Sequence, residues 1–340
     1  MTGLRAPLTK ILAALIVLQL GIAGIGVVTA DGDDAAERLA TDPADSFGEI
    51  EDAGDAGVPS ESSPPPVTDP STGAAPVGEA APPVFASGEI SAPREGTYRY
   101  TQTSKSTTEY PSTTISSEEE TQEVERRIER ISETPGEIVD RRHTPNRQTS
   151  SSSDGSRSES RSYEERVWRP EGSFLRTEVS HSVEFAPDGT RSEDQSQCDW
   201  EPDRQQLAFP LRVGLEWSWK SNCSRSDDNG SSTTTSEGTA RVVGTRELDI
   251  GGRSVPTFII DATAVEDTQA TQRNPNGSDS RIDIHSDQRA TTFFAPSLGL
   301  TARIEAENKT RFTFHNNAPG YRENKTTQTS TSELLSVDPT

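Results

Sequence analysis

Beyond about residue 93, apolar and polar side chains alternate in short runs separated by turn residues, the period-two signature of strands with one buried face. Residues 96–103 set Tyr98 and Tyr100 on one face. Over 174–185, Leu175, Thr177, Val179, His181, Val183 and Phe185 fall on one side. In 215–220, Leu215, Trp217 and Trp219 oppose Glu216, Ser218 and Lys220. Residues 239–250, the pair Gly251-Gly252 and residues 253–265 predict a hairpin, because paired glycines supply the positive φ of a tight turn. Runs at 281–294, 300–314 and 325–337 complete the set. Residues 120–132 carry two signals. Val124, Ile128 and Ile131 lie at helical spacing, but Thr134-Pro135-Gly136 is turn chemistry and 137–142 is strand-like, so a long hairpin is expected. The Ser/Thr-rich runs at 150–162 and 224–236 are expected to be mobile hairpin tips. The prediction is a mainly β, antiparallel domain over 93–340.

A different pattern opens the chain. Arg5 and Lys10 precede an uncharged, largely apolar run over 11–28, and acidic residues begin at Asp31. A positive side, an apolar stretch and an acidic side orient the segment with its N-terminus in the cytoplasm and the rest outside. Residues 1–30 are therefore expected to be a signal peptide or signal anchor. Val28-Thr29-Ala30 fits cleavage near Ala30. The length of the run equally fits retention as a membrane anchor over 11–29. An extracytoplasmic location is expected in either case.

Composition then divides the rest of the chain. Residues 31–90 hold 14 acidic residues against one basic, more than half of the chain's net charge of −22. Together with Ala, Gly, Pro and Ser, including Ser62-Ser63-Pro64-Pro65-Pro66, this predicts a disordered acidic Pro/Ala/Gly-rich linker over 31–92. No basic stripe offsets the acidity, so nucleic acid is not an expected partner. Membrane contact is expected only through the N-terminal segment.

Candidate chemistry is sparse. Cys198 and Cys223 are the only cysteines. Outside the cytoplasm such a pair predicts one disulfide, worth roughly 3 kcal/mol for a loop of this size. His143, His181, His285 and His315 are isolated from one another and from cysteine, which gives no metal pair. A Ser-His-Asp triad meets only in the fold, and no G-x-S-x-G elbow occurs. The expectation is no catalytic residue, no metal and no cofactor. Trp217 and Trp219, with Trp168 and Trp200, supply either core or the wall of a concave apolar ligand pocket.

Three motifs carry a resemblance. Phe209-Pro210-Leu211 with Val213-Gly214 and Trp217 is one. Val242-Val243-Gly244 with Glu247, Gly251-Gly252 and Val255 is the second, and Phe293-Phe294-Ala295-Pro296-Ser297-Leu298-Gly299-Leu300 is the third. In this order they resemble bacterial envelope domains of unknown function of the TapB-like and broader LolA-like kind, over about residues 93–314. The resemblance implies a strongly curved antiparallel sheet or half-open barrel, whose concave face can hold lipid in the LolA-like branch. The expected function is a non-enzymatic structural or protein-interaction domain displayed in the envelope. The alternative is a module holding a lipid or other apolar ligand in the concave sheet.

Overall fold

The computed structural model describes residues 91–340 apart from 111–112, 117–118, 152–156, 186–189, 228–229, 274–278 and 316–321. The expected signal segment, and all of the linker except Ser91 and Ala92, lie outside the described residues. Among the described residues no helix is long and apolar enough to cross a membrane.

The strands are β1 (Gly96–Tyr110), β2 (Thr113–Ser116), β3 (Glu120–Thr134), β4 (Glu137–Ser151), β5 (Arg157–Arg169), β6 (Gly172–Phe185) and β7 (Arg191–Ala208). They continue as β8 (Glu216–Asp227), β9 (Gly230–Ile250), β10 (Arg253–Arg273), β11 (Asp279–Ala295), β12 (Leu300–His315) and β13 (Arg322–Leu334). Neighbours in sequence are neighbours in space, as short connections favour. β2 and β3 both pair with β1 on the side away from β13, so together they make one interrupted strand. The sheet is curved until β13 pairs with β1 over Tyr100↔Leu334 to Glu109↔Lys325, which closes a barrel. Closure pairs β1 with β13, the strands that would otherwise be open sheet edges. At 21 residues each, β9 and β10 run about 70 Å at the usual strand rise.

Most sequence-predicted strands lie where alternation placed them, and residues 120–142 form the β3–β4 hairpin. The Gly251-Gly252 turn has φ of 59° and 80° and joins Ile250 to Arg253 in register. Two expectations need correcting. The polar runs are not tips throughout: their described residues 150–151, 157–162, 224–227 and 230–236 lie in β4, β5, β8 and β9, and the connections at 152–156 and 228–229 lie outside the described residues. Hydroxyl side chains sustain strands there by pairing across the sheet, as in Thr234 with Thr268 at 2.8 Å. The single face drawn over 174–185 is also broken. Arg166 pairs with Leu175 but Glu165 with Thr177, so a bulge puts Leu175 and Thr177 on opposite faces. Alternation counts residues and cannot register the extra one.

The two ends of the barrel differ. At one end, termed the near end, the turns at 135–136, 170–171, 251–252 and 296–299 are all described, and the C-terminal residues fold back onto β1 through paired bonds between Thr97 and Thr340. Two apolar clusters fill it. One gathers Tyr98, Tyr100, Ile128, Val255 and Leu300; the other gathers Trp168, Leu211, Trp217, Val242, Phe258 and Phe294. Toward the other end, the far end, inward positions turn polar (Thr234, Ser236, Thr268, Ser286, Asn308, Thr310), with one apolar island of Ile282, Ile284, Phe312 and Phe314. Between the ends runs a hydrogen-bonded row of small residues, Ala240, Ala262, Ala290, Ala306, Ser330 and Ser104. Small side chains let the wall bow inward, and the outer surface is concave there. One outer concavity of about 640 Å³ is lined by Asp261, Thr263, Arg289, Glu305 and Thr331.

The outside of β11 and β12 is polar over most of their length. Outward positions of β11 are Arg281, Asp283, His285, Asp287 and Arg289, and those of β12 are Arg303, Glu305, Glu307, Lys309 and Arg311. A lipid-facing barrel needs an apolar outward band. These rows suit water instead.

Candidate functional site

The residues that stand out inside the barrel are charged. They occupy inward positions on β3 to β7, where a core would ordinarily be apolar. Register stacks Arg126 and Ile128 on β3, Asp140 and Arg142 on β4, and Glu164 and Arg166 on β5 into one inward patch. The β6 bulge then turns Glu178 inward beside Glu164. Arg204 on β7 pairs in register with Leu175.

Two groups form. In the first, Asp140 is fully buried, and its carboxylate accepts from Arg142 Nε at 3.0 Å and from Trp168 Nε1 at 2.6 Å. Arg166 pairs with Glu164 at 2.7 Å. Arg126 lies over the Tyr100 ring at 4.5 Å, a cation–π contact, and has no carboxylate within ion-pair distance among the described residues. Its Nε and one terminal nitrogen are buried without a hydrogen-bond partner, as is one terminal nitrogen of Arg142. Burial, with the nearby Arg142 adding to it, pushes Arg126 and Arg166 below the usual guanidinium range. Burial acts most strongly on Arg142 and against its charge, but Asp140, Glu164 and Tyr100 together outweigh it and hold that group above its ordinary range.

In the second group, Arg204 is 1% exposed and donates to Glu266 at 2.7 Å across the interior. The other oxygen of Glu266 accepts from Gln288 at 3.1 Å. Arg204 also lies 4.4 Å over Trp200, whose Nε1 donates to Glu178 at 3.0 Å. Burial pushes Glu266 above the ordinary carboxylate range, against the opposing pull of Arg204. Nearby Arg225 is lowered by burial to about 10.

The predicted tryptophan pair divides. Trp217 is 9% exposed and packs with Leu211, Val242 and Phe258 as wall. Trp219 lies across Gly238, where a Cβ would approach the Thr263 carbonyl oxygen to 2.6 Å and collide with the indole. Trp219 donates to Ser236 at 3.4 Å and lines a cavity of about 70 Å³, bounded also by Arg126, Arg142, Trp168 and Ile260. At the near end, among the described residues, the interior is packed by the barrel's own side chains, Tyr98, Tyr100, Trp168, Phe258 and Leu300 among them.

Cys198 and Cys223 form a disulfide. It bridges β7 and β8 where their described pairing is the single pair Glu201↔Asn222, so it staples the sparsest seam of the barrel. The histidines lie on the outer face. His143 contacts Glu129 at 3.0 Å, His285 contacts Asp267 at 2.8 Å, and His315 contacts Asp283 at 2.8 Å. Among the described residues no group of three or more His, Cys, Asp or Glu could hold a metal ion.

The interior arginines escaped sequence reasoning. Their signal was present, since Arg126 falls between Val124 and Ile128 on the buried face of a strand. The helical spacing within 120–132 hid it.

No protein-family model matches this chain, and no curated protein matches it. Among solved structures, it is similar to the hypothetical lipoprotein YmcC from Escherichia coli K12 at 12% sequence identity. The match covers 68% of this chain and 87% of that one, with a TM-score of 0.26. A likeness at that score carries no statement about role or ligand, and the TapB-like and LolA-like resemblance acquires no family assignment from these comparisons.

Proposed function

We propose that this chain is an exported, non-enzymatic envelope protein whose barrel serves as a structural or protein-interaction body held outside the membrane. The observation that carries this reading is the packed near-end interior among the described residues. A cavity of about 70 Å³ is the size of a few water molecules and far below the roughly 300–1,000 Å³ of pockets that enclose organic ligands. A lipid-holding concave face would need an empty lumen, and here tyrosine, tryptophan and arginine side chains occupy it. The polar exterior, with outer concavities such as the one beside Asp261 and Arg289, is the surface left for contact. Export is supported by the positive, apolar, acidic order of residues 1–31 and by a disulfide of the kind that persists in oxidising compartments.

Photo-crosslinking in producing cells tests the reading. With the full chain carrying a photoreactive residue at Thr263, in the outer concavity, a discrete protein adduct is expected. A photoreactive residue in place of inward Ile284 should give none. A stoichiometric acyl-chain lipid in mass spectra of the purified chain would instead establish a lipid carrier. Absence of any Thr263-dependent adduct would remove the interaction reading.

A further inference from the structure

The charge inside the barrel is out of balance. Among the described residues, the interior arginines Arg126, Arg142, Arg166, Arg204 and Arg225 face the carboxylates of Asp140, Glu164, Glu178 and Glu266. The excess is concentrated in the first group, where three guanidinium groups share Asp140 and Glu164. Arg142 spends one nitrogen on Asp140, and Arg166 is committed to Glu164. Arg126 has only the Tyr100 ring face. Burying a charge without a counter-charge is among the costlier things a fold can do. Here the guanidinium groups also repel one another in a water-poor lumen, where Coulomb terms are stronger than in bulk solvent. The 70 Å³ cavity lies against these same groups, bounded by Arg126, Arg142, Arg166 and Trp168 from β3 to β5 and by Trp219 and Ile260 from β8 and β10.

We propose that this cavity is a binding site for one small anion, a carboxylate or inorganic oxyanion, held by Arg126 and Arg142. The orphan donors supply the reason. Arg126 offers Nε and a terminal nitrogen, and Arg142 offers a terminal nitrogen, which is the fork geometry that carboxylate and phosphate oxygens accept. The size of the cavity supplies the limit, since several waters' worth of space admits an anion of a few heavy atoms and excludes an acyl chain. Glu164 also borders the cavity, but its charge is matched by Arg166 at 2.7 Å. The site does not depend on the interaction role proposed above, because it is interior and that role concerns the outer surface.

Calorimetric titration of the full chain tests it. Phosphate, acetate and chloride would be titrated separately, with ionic strength held by a sulfonate buffer too bulky for the cavity. Phosphate or acetate should bind saturably with one-to-one stoichiometry, and saturable binding of chloride alone overturns the carboxylate-or-oxyanion assignment. Arg126→Met should weaken that binding at least tenfold. Arg126→Lys, which keeps the charge and loses the fork, should weaken it less. Arg127→Gln, at the outward neighbour that pairs with Glu129 at 2.6 Å, should leave it unchanged. Unfolding curves in the sulfonate buffer give a second readout. There Arg126→Met should melt no lower than the wild type, because it removes an uncompensated charge, and added anion should raise the melting temperature of the wild type but not of Arg126→Met. If Arg126→Met does not fold, the Lys variant and the wild-type titration decide. No saturable binding of any of the three anions by the wild type, or unchanged affinity in the Arg126 variants, overturns the proposal.

Discussion

The near and far ends of this barrel are built from the same strands but closed by different means. Near-end turns are short and described throughout, and the inward side chains behind them are large and apolar: Tyr98, Tyr100, Trp168, Phe258 and Leu300. At the far end the same strands carry Thr, Ser, Asn and Gln inward, and cohesion comes from hydroxyl and amide pairs such as Ser286 to Asn308 at 2.5 Å. An apolar core stabilises by area removed from water, whereas each neutral hydrogen bond contributes only about 0.5–1.5 kcal/mol net. The near end should therefore act as the stability anchor and the far end as a weakly held extension. Between them the buried ions fix how facing strands align, since Arg204 on β7 reaches Glu266 on β10 across the interior.

That contrast can be broken experimentally. The largest effect is expected at its centre: Arg204→Met should cost about 3–5 kcal/mol in urea unfolding, because Glu266 is left buried without its partner. The double variant with Glu266→Leu should recover most of this loss. If it does not, Arg204 acts through packing on Trp200 instead. Phe258→Ala at the near end should also cost about 3–5 kcal/mol. Phe312→Ala at the far end, although Phe312 is only 3% exposed, should cost less than half of that, because its island is small and lies among polar neighbours. Equal losses would abolish the distinction between the ends. Removing the disulfide with Cys198→Ser and Cys223→Ser should cost roughly 3 kcal/mol and raise amide exchange first along β7 and β8. Ala262→Leu, in the row of small residues, should cost about 1–3 kcal/mol by overpacking.

The smallest effects concern pH, and their signs differ by location. On the outer face near the turns, the Arg169 hydrogen bond holds Glu137 below its ordinary value of 4.5, and the His143 contact does the same for Glu129. Their contribution is present above that value and is lost as pH falls through the lowered one. Glu137→Gln should accordingly make the acid side of a melting-temperature profile shallower. Glu266 has the opposite sign. Burial raises it, so its contribution is complete below 4.5 and declines as pH rises through the raised value. Arg204, Glu178, Ser236 and Gln288 face it, and Glu266→Gln should remove that decline.

Much of the fold was legible because strand alternation is local. The Gly251-Gly252 hairpin and the shared face of Leu215, Trp217 and Trp219 follow from spacing and turn chemistry, and the β3–β4 hairpin from turn chemistry against a helical spacing. The Cys198–Cys223 bond followed from count and expected compartment. The candidate site was not legible, because its members lie on strands whose inward face depends on bulges and on how far the sheet curves. Leu175 and Thr177 share a face by counting and oppose each other in the barrel. Glu178, which the same count places on the other side from Leu175, reaches Arg204 and Trp200. Arg126 reads as one charge in a charged strand until closure turns its face inward.

By itself, then, the sequence determined that residues from about 93 onward are antiparallel β, where their hairpins turn and which two cysteines pair, since each depends on neighbours in the chain or on composition. Only the tertiary structure decided that the sheet closes and that its near end is packed with its own large side chains. The same closure left one group of arginines with more positive charge than its carboxylates balance. Those outcomes depend on contacts between strands far apart in sequence, β1 with β13 and β7 with β10. The total of bulges, small residues and twist around the ring sets those contacts, and no single segment encodes that total.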